Sequence, residues 1–236
     1  MTEPEGKPFR FSLPKAPEGR YVAGEYLERE LQRQIDELPR SSSEHAFARV
    51  QMMMLYGRSG RLDRALEVLE TLLADEADGD DKARWTLTAG ILVEGVGDFA
   101  AAAALYRRAL AFGPGDEEVA YFVHNNLAFS LNQTGEFAEG EAQARAAIAL
   151  DPERHNAHKN LGVALENGGR IEEAARSYVA AVHAEASDSR ALTHLESMVQ
   201  AHPRLLELDP GLEEEIARCR QAVATALAAR LDGQQN

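Results

Sequence analysis

HNNLAFSLNQTGEF, from His124 to Phe137, and HKNLGVALENGGRI, from His158 to Ile171, carry one pattern at an offset of 34 residues. Apolar residues recur three and four apart, the period of an amphipathic helix, and each run stops at a glycine that tolerates positive φ. Working outward, TLTAGILVEGVGDF (Thr86 to Phe99) and RVQMMMLYGRSGRL (Arg49 to Leu62) fall in the same register. Each run is followed by a second, alanine-rich amphipathic stretch: DRALEVLETLLADEA, AAAAALYRRALAFGP, AEGEAQARAAIALDP and EEAARSYVAAVHAEA. The unit is therefore helix, tight turn, helix, and its repetition points to an all-α solenoid.

This pattern resembles the tetratricopeptide repeat family, whose unit is a 34-residue helix-turn-helix. Numbered by that family's unit, the repeats run 46–79, 83–116, 121–154 and 155–188, with short acidic insertions after the first two and a degenerate fifth repeat over 189–201. Position 8 holds Gly90, Ala128 and Gly162, with Met53 in the first repeat. Position 20 holds Ala65, Ala102, Gly140 and Ala174, and position 27 holds Leu72, Ala109, Ala147 and Ala181. These side chains are mostly small where backbones meet. Tyr56, Val93, Leu131 and Leu165 at position 11, with Leu69, Tyr106 and Tyr178 at position 24, supply the large knobs. Gly60, Gly97, Gly135 and Gly169 mark the turns, and Pro114 and Pro152 close two units. The family's aromatic at position 4 is replaced by Arg49, Thr86, His124 and His158, and Trp85 sits one place early. The resemblance implies a right-handed superhelical solenoid, and it covers roughly residues 46 to 200.

Flanking segments read as caps, because the end of a solenoid otherwise exposes an apolar face. The organisation expected is an extended tail over 1–23, a helical cap over 24–42, repeats over 43–201 and a C-terminal capping helix over 202–236. Ser41 and Glu44 offer a capping box for the first repeat helix. Leu212, Ile216, Cys219, Val223, Leu227 and Leu231 form one stripe of a final helix announced by Asp209 and Pro210. Cys219, the sole cysteine, reads as a small buried hydrophobe.

In the resembled family the concave groove is lined by first-helix positions 2, 5, 6, 9 and 12, and partners bind there. Those positions carry over to Phe122, Asn125, Asn126, Phe129 and Asn132 in the third repeat, to Asn156, Lys159, Asn160 and Val163 in the fourth, and to Arg190, Thr193 and His194 in the fifth. An amide both donates and accepts, so Asn126 and Asn160 suit a peptide backbone. Lys159, Arg190 and His194 would meet a carboxylate, and Phe122 and Phe129 an apolar side chain. The Lys-Asn pair that opens the family's carboxylate clamp is absent, Asn125 and Phe129 standing in its place. A plainer reading has the asparagines merely lining a wet concave surface.

The N-terminal half of the groove is apolar, with Phe47, Val50, Met54, Leu87 and Ile91. Two segments could cover it: the tail stretch PFRFSLP (Pro8 to Pro14), bearing Phe9, Phe11 and Leu13, or the helix from Gly24 to Leu38.

Other classes fall away. Thirty-nine acidic against 25 basic residues give a net charge of −14, which disfavours nucleic acid and anionic membranes as partners. One cysteine excludes an intramolecular disulfide. His155 and His158 lack a third ligand, Gly95 and Gly97 lack the strand and Lys-Ser/Thr of a phosphate loop, and the acidic run Ala74 to Asp81 lacks a calcium loop's spacing. No catalytic residue, metal or cofactor is expected. With no apolar run near membrane-spanning length and no signal-peptide pattern, a cytoplasmic protein is expected, and abundant alanine with scarce lysine fits a GC-rich bacterium. The function expected is non-catalytic recognition of a peptide or protein segment. The alternatives are a self-associating scaffold, as a homo-oligomer, or an accessory subunit of an enzyme complex.

Overall fold

The computed structural model describes residues 23–75 and 77–233, and within them the chain forms twelve helices and no strand. The tail segment Pro8 to Pro14 lies outside the described residues. Four helical hairpins make the body: α2 (Ser43–Arg58) with α3 (Leu62–Leu73), α4 (Gly79–Glu94) with α5 (Phe99–Ala111), α6 (Glu117–Thr134) with α7 (Phe137–Leu150), and α8 (His155–Asn167) with α9 (Ile171–Ala184). Hairpins stack in order, so that the first helices α2, α4, α6 and α8 each lie against the next. The result is a right-handed superhelical solenoid.

Three of the four hairpin turns are made the same way. Gly60, Gly135 and Gly169 take φ of 76°, 84° and 77°. Beyond each, the N–H of Arg61, Glu136 and Arg170 reaches back to Tyr56, Leu131 and Leu165 at 2.8 to 2.9 Å. That closes the carbonyls left open at a helix end and points the chain back along itself.

Hairpin cores are matched by volume. Where position 8 is glycine, position 24 is tyrosine: a Cβ on Gly90 would lie 2.4 Å from Tyr106 Cε1, and one on Gly162 would lie 2.5 Å from Tyr178 Cε1. Each phenol then donates to the position-12 carboxylate of its own repeat, Tyr106 to Glu94 at 3.0 Å and Tyr178 to Glu166 at 2.6 Å. In the third repeat Ala128 faces the same task with Ala144, and in the first Met53 with Leu69, all four buried. Neither glycine is a weak point in its helix, since each makes room for a fully buried ring.

The ends differ from the expectations in three ways. The cap of α2 is Ser42, whose Oγ accepts from His45 N at 3.1 Å, not Ser41. The shift follows from where the turn begins: Ser42 N already bonds Pro39 O, so Ser42 is the last residue outside the helix. The first cap helix, α1 (Ala23–Glu37), does not lie over the groove. Its Leu27, Leu31 and Ile35 pack with Ala48, Met52 and Leu55, about a third of a turn round α2 from Phe47, Val50 and Met54. It ends the stack as a second helix of a preceding repeat would. At the other end α10 (Arg190–Ala201), a single turn and a half as α11 (Arg204–Leu208), and α12 (Gly211–Gly233) complete the chain. Leu212, Ile216, Cys219 and Val223 are buried, with burial raising the Cys219 thiol's proton affinity, whereas Leu227 and Leu231 are 41% and 63% exposed. The stripe is longer than the stack it packs on.

Candidate functional site

The residues expected in the groove divide into two groups. Phe129, Lys159, Asn160, Arg190 and His194 line one cleft of about 300 Å³ between α6, α8 and α10, together with Asn132, Gln133, Val163 and Thr193. Phe122, Asn125, Asn126 and Asn156 lie outside it.

Asparagines hold α6 to α8. The Asn160 amide nitrogen donates to Asn125 O and to Asn125 Oδ1, both at 3.1 Å, and Asn125 passes a bond to Asn126 Oδ1 at 3.0 Å. In return Asn132 Nδ2 donates to Asn160 O at 2.9 Å. Asn160 is 4% exposed. Its donor group, which the groove pattern assigns to a ligand backbone, is spent inside the fold. Two first helices that cross closely leave no room for long side chains, and a short amide satisfies polar groups that would otherwise be buried unpaired. Asn132 Oδ1 is one polar atom left buried without a partner, 2.6 Å from where a Gly140 Cβ would stand.

The charged wall of the cleft is also partly occupied. Asp188, in the turn before α10, accepts from Arg190 Nε at 2.8 Å and from Arg190 Nη2 at 2.5 Å, and it lies 3.1 Å from His155 Nε2 and 3.9 Å from Lys159 Nζ. The Arg190 hydrogen bond holds its carboxyl well below the usual carboxylate range, against the effect of burial. Lys159 has a side chain only 10% exposed and donates to Asn156 Oδ1 at 3.0 Å. Burial, then Arg190, pushes its ammonium down, and Asp188 opposes them. An ammonium has three donors, so Lys159 keeps capacity beyond Asn156. His194 stacks flat on Tyr178, centroids 5.3 Å apart and planes 9° apart, while Phe129 meets Phe99 edge-on at 5.7 Å. The cleft thus offers apolar side chains at Phe129 and Val163, a buried cation at Lys159 and an exposed one at Arg190.

Phe122 sits elsewhere, edge-on to Tyr121 under the Arg154 guanidinium, which is 4.9 Å from its ring centre. Sequence reading missed Asp188 and Gln133. Asp188 had a signal, an acid two residues before Arg190 at a helix start, where it can take both the backbone and the guanidinium. Gln133 is one residue past the groove register and had none.

In the N-terminal half, Ile91 is 47% exposed beside partly buried Val50 and Met54, while Leu87 is buried. The two histidines of the His-x-x-His pair go separate ways, His155 to Asp188 and His158 Nε2 to Pro152 O at 2.8 Å. Among the described residues no three His, Cys, Asp or Glu side chains are grouped to hold a metal, and no helix is long and apolar enough to cross a membrane.

A stacked array of helical hairpins with a concave cleft defines a class of repeat protein, and comparison with known sequences names it. The family described as tetratricopeptide repeat matches residues 52–117 and 127–191, more than half of the chain. The chain belongs to the tetratricopeptide repeat family. Among solved structures it is similar to MamA 41-end from Desulfovibrio magneticus RS-1, at TM-score 0.60 and 17% identity over 76% of this chain and 96% of that one. It is also similar to a MamA RS-1 double mutant, at TM-score 0.57 and 18% identity over 75% and 95%, and to MamA AMB-1, at 0.53 and 21% over 73% and 98%. At these identities the likeness is one of fold. Repeats of this family support a protein-interaction or scaffold role and are generally non-catalytic.

Proposed function

We propose that the chain is a non-catalytic cytoplasmic recognition module that takes a peptide or protein segment in the cleft between α6, α8 and α10, with a ligand carboxylate at Lys159. The observation that carries this reading is the cleft itself, which gathers Phe129, Lys159, Asn160, Arg190 and His194 from three helices. Lys159 is the anchor because its charge is nearly desolvated and its donors are not all used, so a carboxylate there makes a charge-assisted bond in low dielectric. Arg190 serves as a rim charge that must partly leave Asp188 to help. Asn160 supports the reading as the residue that sets the spacing of α6 and α8, and Asn126 and Phe122 lie off the cleft.

The test is a panel of ten-residue peptides, each made with a free C-terminal carboxylate and as the amide. The carboxylate forms should bind about tenfold more tightly, and Lys159→Met, which keeps the buried stem, should erase the difference. Equal binding of acid and amide by the unaltered protein would remove the assignment.

A second reading, self-association, is favoured by one observation: Leu227 and Leu231 project beyond the stack on α12. Light scattering over a concentration series should then show mass rising with concentration, and Leu227→Glu with Leu231→Glu should hold it at one chain. A constant mass in the unaltered protein eliminates this reading.

A further inference from the structure

A second polar cavity, far from the cleft, opens where α1 ends, α2 begins and α3 ends. It measures about 400 Å³ and is lined by Ile35, Arg40, His45, Arg49, Thr71, Ala74 and Asp75. Three of these can donate hydrogen bonds from cationic or imidazole nitrogen, and one is acidic. Asp75 is paired with Arg49 in a close ion pair, the Arg49 side chain being 10% exposed. That pair cancels itself in net charge, and Arg40 then sets the sign of the cavity. Among the described residues Arg40 makes neither a hydrogen bond nor an ion pair.

His45 is the unusual member. It is 4% exposed, and its Nδ1 is buried with no hydrogen-bond partner. Leaving a buried ring nitrogen unpaired costs stability, and native proteins rarely do it without a use for the atom. Its backbone N–H is already taken by Ser42, but the earlier N–H groups of α2 have no intrahelical partners, and the sixteen-residue helix directs its positive end toward this corner. A guanidinium without a partner and a second one behind it share this space with the His45 imidazole, and the N-terminus of α2 lies beside it. A ligand that satisfies them together must be negative and must present acceptors in several directions, which a tetrahedral oxyanion does.

We propose that this cavity is a binding site for a phosphoryl group, held by Arg40 with Arg49 and His45 at the back. Neutral His45 would become a full donor by taking up a proton as the anion enters. Burial, then Arg49, lowers the proton affinity of His45 in the empty site, with Asp75 opposing and Arg40 adding to the reduction. An anion reverses that balance, so affinity rises as pH falls through the range where the bound and empty forms differ. The site is independent of the peptide cleft: neither Lys159 nor any other cleft residue belongs to it.

The experiment uses the full chain and nuclear magnetic resonance, following the Arg40 and His45 backbone and side-chain signals as inorganic phosphate is added at constant ionic strength against chloride. A saturable shift is expected, with Arg40→Gln weakening it about tenfold while Arg170→Gln, on an ion-paired turn at the other end, leaves it unchanged. Arg40 is exposed in the loop before α2, so its replacement leaves the fold intact. Sulfate, which does not titrate in this range, should bind more tightly at about pH 6 than at about pH 8. A phosphoserine pentapeptide separates the sources: tighter binding than phosphate assigns the site to a phosphorylated segment, and equal binding assigns it to the free anion. Shifts that match the chloride control, or that are the same in Arg40→Gln, overturn the proposal.

Discussion

Tyr106→Ala should lower the stability of the chain by about 3 to 5 kcal/mol, the cost of emptying an aromatic site that the surroundings cannot refill. Tyr106 is fully buried, and the space it fills exists because Gly90 has no side chain. Its loss also takes one donor from Glu94, whose carboxyl is already pushed up by burial and would keep only Ser130 at 3.3 Å. Tyr106→Phe separates the two effects, retaining the ring and losing about 1 kcal/mol for the hydrogen bond. Adding Gly90→Ala to Tyr106→Ala should recover part of the loss, because the third repeat already works with Ala128 opposite Ala144. Urea unfolding of the four proteins measures this. A loss under about 1 kcal/mol in Tyr106→Ala would mean that the ring and the glycine are not a matched pair.

Asn160→Ala should cost about 3 kcal/mol, a larger effect on stability than a groove-lining role would give. It removes both donors to Asn125 and leaves Asn125 Oδ1 buried without them, at the crossing of α6 and α8. Hydrogen exchange should locate the damage: amides of α8 and α9 become less protected, while α2 to α5 keep theirs, since each hairpin touches only its neighbours. Peptide binding will fall too, through the altered spacing of the helices. Lys159→Met is therefore the cleaner test of recognition and Asn160→Ala the cleaner test of assembly. Unchanged exchange in α8 would return Asn160 to the role of a ligand-facing amide.

Much of the architecture was legible along the chain. Helix-turn-helix units, turn glycines and small residues at positions 8, 20 and 27 depend on spacing, and spacing is a property of one helix against its immediate neighbour. The tyrosines at position 24 were equally readable, though their answer to Gly90 and Gly162 emerges only when both helices are in place. The cleft was legible in part: Phe129, Lys159, Asn160, Arg190 and His194 share it, while Phe122, on the same helix face, is drawn beneath Arg154.

Sequence by itself determined the repeat, its period, the turns and the face of each helix that looks inward, because these follow from residue size, φ preference and a period of 3.6. Tertiary structure decided which polar groups remain available to a partner. Asn160 turned its donors to Asn125, Asp188 claimed Arg190, and α12 outran the stack that covers Ile216 and Val223. The first of these depends on a distance of about 3 Å between helices whose bonded residues are 35 apart in sequence, and a hydrogen bond that forms at 3 Å is absent at 4 Å. Periodicity reports direction, and only packing reports distance.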